Sequence, residues 1–270
     1  MIEELIHYLS AQTNSQGARR LGYVYEAAAL QVRHRRCLTA WQPHIKATQQ
    51  ALIAAASRIE TGGTALIVGA GCVQDLPISN LLAQFERLVL VDIVFTYQAR
   101  RLASSWPGRV ECCYLDVTGV VDWLAKRRCL PPPDRLASRD PLNQAIPDLV
   151  WVASVNCLTQ LPILPVRWLH RFGVDESALE GFLRALIQAH LNWLKNWQVP
   201  VCLITEVEEQ HLDQNGQVIE IIDHRSLLRD FQQNATRISG WNWTLHPPGE
   251  LPNGWSETRE VEAWSYETKK

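Results

Sequence analysis

From residue 64 onward the chain alternates short apolar runs with amphipathic stretches. TALIVGA at 64–70, RLVLVDI at 87–93, RVECCYLDV at 109–117, PDLVWVAS at 147–154 and VPVCLIT at 199–205 each read as a buried strand. Between them, residues 77–86, 97–105, 119–128 and 176–197 carry helical patterning. That order predicts an α/β domain with a parallel sheet and helices on both faces. Ahead of it the pattern is helical: a short helix over 2–9, a longer one over 21–41, and a third whose first turn starts at Pro43 and which Gly62-Gly63 ends. After it come a strand at 218–223, a helix at 224–233, and two half-buried strands, WNWTL at 241–245 and TREVEAWSYE at 258–267, joined by the turn formers HPPGELPNGW. The proline-rich stretch 131–147 reads as a surface excursion before the fourth strand. Two regions follow: 1–62, a helical cover on the substrate side, and 63–270, the α/β domain.

Composition narrows the class. At 270 residues, 47% hydrophobic and 20% charged, the chain can bury a full core. A net charge of -2 gives no electrostatic case for nucleic acid or an acidic membrane surface. Eleven Trp against one Met point to thick core packing for most of them, or to an aromatic-lined pocket. The N-terminal MIEELIHYLS is acidic where a signal peptide is basic, and the longest uncharged stretch, 149–166, carries Asn156, Thr159, Gln160, Pro162 and Pro165, unlike a membrane span. Seven cysteines without a CxxC pair read as reduced thiols in a cytoplasmic protein with no metal site. The expected partner is a small molecule, and the expected state a monomer or homodimer.

Candidate chemistry sits at the strand ends. The first strand runs into Gly69-Ala70-Gly71, where glycines permit a sharp turn and close approach of a ligand to the backbone. Asp92, followed by Ile93, ends the second strand, where an acid can accept hydrogen bonds from both ribose hydroxyls. Asp116, followed by Val117, lies after the third strand, and Ser154, Asn156 and Thr159 follow along and after the fourth.

With these residues in this order, the run 64–205 resembles a class I S-adenosylmethionine-dependent methyltransferase. The resemblance implies a Rossmann-like fold: a seven-stranded, mostly parallel sheet with an antiparallel C-terminal strand pair, and an N-terminal helical extension. It implies S-adenosyl-L-methionine as cofactor, held by Gly69, Ala70 and Gly71 at its methionine part, Asp92 and Ile93 at the ribose, Asp116 and Val117 at the adenine, with Ser154 and Asn156 alongside. The sequence departs from that pattern in three places. Cys72, Val73 and Gln74 follow where a third glycine is common, Ile67 stands where many members have an acid, and Asp75 can either reach the cofactor's ammonium or cap the helix at Pro77. A nicotinamide dinucleotide fits less well, since Gln74 replaces its last fingerprint glycine. Substituting Gly71 by Val is expected to block the cofactor while sparing the fold.

Methyl transfer is an in-line displacement that needs positioning and, for weak acids, a proton acceptor. His34, His44 and His170 are the candidate bases, with Asn156 beside the reacting groups. Glu206 and Glu208 are acidic alternatives within TEVEEQ, a stretch that reads as an exposed strand extension. On the N-terminal helix Tyr25, Arg33 and Trp41 recur at multiples of four, with Arg36 beside Arg33. This face, together with Thr159, is the expected acceptor site for an anionic or aromatic molecule. Two other classes stay open: a non-catalytic binding or regulatory protein of the same fold, and an NAD(P)-dependent oxidoreductase.

Overall fold

The computed structural model describes residues 2–136, 142, 146 and 148–267. Four helices come first: α1 (Ile2–Ser10), α2 (Gln16–Leu21), α3 (Tyr23–Arg36) and α4 (Leu38–Ala56). The α/β part runs β1 (Thr64–Val68), α5 (Ile78–Gln84), β2 (Arg87–Asp92), α6 (Tyr97–Ser104), β3 (Val110–Tyr114), α7 (Val121–Arg127), β4 (Leu149–Val155), α8 (Ile163–His170), α9 (Glu176–Asn196) and β5 (Val201–Leu212). It closes with β6 (Val218–Asp223), α10 (Arg225–Gln232), β7 (Ala235–His246) and β8 (Ser256–Tyr266).

The strands form one sheet in the order β3-β2-β1-β4-β5-β8-β7, with β6 paired to β5. The first five are parallel, and β8 runs antiparallel between β5 and β7. The end of β7 therefore emerges on the same edge of the sheet as the ends of β1 to β5. Alternation along β1 splits the core. Ala65 and Ile67 face one layer with Leu52, Phe85 and Trp151, while Leu66 and Val68 face the other with Leu191, Leu194 and Trp197. All five β1 residues are buried, which is why that strand reads as an unbroken apolar run.

The helical N-terminus divides differently from its pattern. Gly22, at φ 98°, ends α2 and starts α3 anew at Tyr23. A second break at Cys37 starts α4 five residues ahead of Pro43, which therefore lies inside that helix and not in its first turn. The Cys37 carbonyl already accepts the Trp41 amide at 2.9 Å, so the turn before Pro43 is nucleated without it. α4 lies on the sheet, with Trp41, Leu52 and Ala55 in one core with Trp243 and Ala263.

β5 runs seven residues further than its apolar pattern. Past β4 its freed edge pairs with β6 over 208–212, while β8 follows its other edge throughout. Glu206 and Val207 in this extension are fully buried, contrary to the exposed reading of TEVEEQ. Pro133–Arg135 form a single 3-10 turn, and most of the remaining 131–147 excursion lies outside the described residues. Among the described residues no helix is long and apolar enough to cross a membrane, and all seven cysteines are free.

Candidate cofactor and acceptor site

A cavity of about 380 Å³ opens at the carboxyl ends of the parallel strands, a volume within the range of small-molecule sites. Gly69, Gly71, Asp92, Ile93, Asp116 and Val117 line one end of it. The three strand ends expected to carry the cofactor thus converge on one space.

Asp92 is fixed by the backbone. Its Oδ2 accepts the Gly71 amide at 2.8 Å and its Oδ1 the Val94 amide at 3.2 Å. The carboxylate keeps acceptor capacity for a ribose hydroxyl beside these bonds. Burial lifts this carboxyl to about 6 against the lowering effect of the Val94, Gly71 and Ile93 amides. Asp116 is more fully engaged: Thr118 donates to it through both amide and hydroxyl, and Val121 through its amide at 2.8 Å, closing the first turn of α7. Tyr23 lines the cavity between these strand ends, its phenol held protonated far above its ordinary range by burial and by the Asp116 and Asp92 charges.

Gly71 is needed by the protein itself. A Cβ there would stand 2.4 Å from the Val94 carbonyl oxygen and 2.8 Å from the Asp92 carboxylate. Gly71 is buried, so a larger residue disturbs the fold before it meets a ligand, which overturns the expectation that Val would spare the fold. Gly69 combines φ 83° with a Cβ position 2.4 Å from the Val155 carbonyl, so glycine is required twice over.

Behind this wall lie several expected site residues that do not line the cavity. Ala70 is buried in the core. Ser154 is buried against His190 at 3.0 Å and Cys157 at 3.3 Å. Asn156 takes the left-handed conformation at φ 48° and donates to Asp75 Oδ2 at 2.8 Å. α5 has no side-chain cap, so Asp75 serves Asn156 instead. Thr159 donates to the buried Glu206 at 2.7 Å.

None of the three histidines expected as bases lines the cavity. His44 is buried, stacked at 4.0 Å on Trp243, and accepts from Trp241 Nε1 at 3.0 Å; burial depresses it to about 3. His34 packs edge-on to Trp41 and is lowered by burial. His170 pairs with Glu176 on the exposed end of α8.

The expected helix face is turned. Tyr25 is 55% exposed, and Trp41 is buried, donating to the Leu245 carbonyl at 3.0 Å. Arg36 is forked onto Glu250 at 2.7 and 3.2 Å. Arg33 does line the cavity; among the described residues its guanidinium makes no hydrogen bond or close ion pair, though its charge helps lower the Glu250 carboxyl. The face presented to the cavity is Tyr23, Glu26, Ala27, Leu30 and Arg33.

No protein-family model and no curated protein sequence matches the chain. Among solved structures it is similar to a Burkholderia thailandensis 1,6-didemethyltoxoflavin-N1-methyltransferase with bound 1,6-didemethyltoxoflavin and S-adenosylhomocysteine, at 15% identity and TM-score 0.35, covering 89% of each chain. It is also similar to an rRNA methylase from Streptococcus thermophilus, at 11% identity and TM-score 0.37, covering 83% of this chain and 97% of that one. A third, a SAM-dependent methyltransferase from Anabaena variabilis, has 12% identity and TM-score 0.37 over 76% of this chain and 77% of that one. The chain's own sheet ends in an antiparallel β8 inserted between β5 and β7. This is the Rossmann-like methyltransferase fold.

In that fold the cavity's second end is built by residues the sequence did not single out. β7 supplies Trp243, Leu245 and His246, β8 supplies Arg259, and Gln160, Leu161, Ile163 and Leu164 follow β4. Arg259 is gripped by three carboxylates: Glu257 at 2.7 Å, and Glu206 and Glu209 at 3.4 Å each. Glu209, His211 and Glu257 cluster closely enough to suit a cation. The Glu209 and Glu257 carboxylates, however, already hold Arg259, His224 and His246. A spacing of 23, 27 and 30 on α3 was available as a signal for Tyr23. For His246 there was none, since the pattern places it as the first residue of the turn HPPGELPNGW after WNWTL.

Proposed function

We propose that this chain is an S-adenosylmethionine-dependent methyltransferase acting on a small, anionic or aromatic molecule. One observation carries the reading: a single cavity joins the Gly69–Asp92–Asp116 strand ends to a second wall built from Tyr23, Leu30, Arg33, Trp243 and His246. Asp92 suits the ribose hydroxyls, its carboxylate keeping acceptor capacity beside the Gly71 and Val94 amides. Asp116 and Val117 flank the adenine position, and Gly69 and Gly71 pass beneath the methionine part. When bound, the cofactor supplies an electrophilic methyl; the protein's part is to hold the acceptor in line with it.

The apolar and aromatic walls favour a planar acceptor, and the unpaired Arg33 favours one with an anionic group. Residues 1–62, through α3, form one side of the acceptor end. Isothermal titration with S-adenosylhomocysteine against NADH tests the cofactor: tight binding of the first alone supports the reading, and binding of NADH alone overturns it. Incubating the protein with labelled S-adenosylmethionine and a small-molecule metabolite extract tests turnover. Label appearing in a small product supports transfer, whereas binding without any transfer favours a non-catalytic role.

A further inference from the structure

We propose that His246 is the catalytic base of the methyl transfer, oriented by Glu257, and that the acceptor reacts through an O–H or N–H on a planar ring. The inference rests on the methyltransferase reading above and adds to it the residue that takes the proton. His246 and Glu257 are direct cross-strand partners between β7 and β8. His246 Nδ1 lies 2.7 Å from Glu257 Oε2, and the imidazole lines the cavity. Its other nitrogen, Nε2, has no partner among the described residues.

The Glu257 carboxylate is held ionised. Its other oxygen accepts Arg259 Nε at 2.7 Å, and these bonds to Arg259 and His246 bring it down to about 2 against the effect of its burial. An ionised acceptor at Nδ1 requires a proton on that nitrogen, so in the neutral tautomer the lone pair lies on Nε2. A buried carboxylate behind the ring also opposes the charge the ring gains on taking a proton, the arrangement by which a base is both aimed and stabilised. The strand end that carries His246 is anchored separately, by Trp41 donating to the Leu245 carbonyl.

The charged groups around the ring have defined partners. On β8 these are Glu257 and Arg259, with Glu206 and Glu209 of β5 behind Arg259. Other cavity-lining charges are Arg33, the 2.8 Å pair Glu26–Arg167 from α3 and α8, and Asp92 and Asp116 at the far end. Arg33 is the cation left for an anionic substituent, while Trp243 and Leu245 offer apolar surface next to His246. In the step, the acceptor oxygen or nitrogen forms a bond to the methyl carbon as the carbon–sulfur bond breaks, its pair staying on sulfur. The acceptor's proton passes to His246 Nε2, and the resulting imidazolium, facing Glu257, later releases it to water.

The test uses the whole chain saturated with S-adenosylhomocysteine, with 4-nitrophenol as probe because its ionisation is read directly by absorbance. Wild-type protein is expected to bind the probe and increase its ionised fraction at a pH below its solution pKa. His246→Gln should abolish that increase while leaving S-adenosylhomocysteine affinity within about twofold, and Glu257→Gln should give an intermediate result. In parallel, imidazole nitrogen shifts by NMR should place the His246 proton on Nδ1 in the wild-type protein, a readout that needs no variant to fold. A proton on Nε2, equal ionisation in wild type and His246→Gln, or no probe binding overturns the proposal. Failure of wild-type protein to bind S-adenosylhomocysteine overturns the cofactor reading instead, and the NMR result still decides whether the ring is poised as a base.

Discussion

Asp92 Oδ2 accepts the Gly71 amide at 2.8 Å, so the acid at the end of β2 holds the glycine loop that follows β1. One bond ties together the two elements expected to bind the cofactor, and it separates ligand effects from fold effects in their variants.

Asp92→Ala removes both the acceptor for ribose hydroxyls and the brace on the loop. Affinity for S-adenosylhomocysteine should fall by roughly ten- to a hundredfold, as expected for losing charge-assisted hydrogen bonds. Calorimetry on a variant shown to be folded by circular dichroism measures this; unchanged affinity removes Asp92 from the site.

Binding should also depend on pH through the same carboxyl. Burial raises Asp92 to about 6 in the free protein, and hydroxyl donors favour its ionised form. The complex therefore binds fewer protons than the free protein near pH 6. Affinity should rise with pH through that value and level off above it, with proton release on binding. Titrations in buffers of different ionisation enthalpy read that release, and a flat profile contradicts it.

Gly71→Ala should destabilise the fold. Its Cβ would stand 2.4 Å from the backbone oxygen of Val94, a collision no rotamer change relieves. The loss should be roughly 3 kcal/mol, the upper end of overpacking, read as a lowered urea midpoint. A normal midpoint would mean that the loop shifts freely.

Arg33→Ala and Arg36→Ala should separate. Arg36 is committed to Glu250, an exposed pair contributing about 1 kcal/mol at most, whereas Arg33 is unpaired in the cavity. Once an anionic acceptor is in hand, Arg33→Ala should raise its KM roughly tenfold or more, with cofactor affinity unchanged. Arg36→Ala should leave KM near wild type. Equal effects would place the acceptor elsewhere.

His44 should make the fold acid-sensitive. Its folded value is depressed from 6.5 to about 3, so between those pH values the unfolded chain binds the extra proton. Stability then falls as pH falls, by at most about 1.4 kcal/mol per unit from this group. His190, lowered to about 4 by burial, adds in the same direction, while Asp92 acts oppositely between its ordinary value and about 6. His44→Phe retains a ring against Trp243 and removes the titration. Urea melts from pH 7 to 5 should show a shallower loss in the variant than in wild type, and parallel slopes would contradict the assignment.

The sequence by itself determined the parallel strands, the glycine loop and the acids at the strand ends. These are local signals: β1 is buried on both faces and so reads as an uninterrupted apolar run, and Asp92 follows directly from the end of such a run. What only the tertiary structure decided is which polar groups meet across long stretches of chain. On α3 two faces were compatible with helical spacing, and the break at Gly22 together with packing against the cavity selected Tyr23, Leu30 and Arg33 over Tyr25 and Trp41. Asp75 can cap a helix or serve another side chain, and its partner, Asn156, is 81 residues away. The acceptor wall was least legible. Strict alternation along β7 would send Leu245 and His246 to opposite faces, but a register shift between Thr244 and His246 lets both line one cavity. A bulge is set by how two strands pair, a relation between chain segments that neither strand's pattern contains.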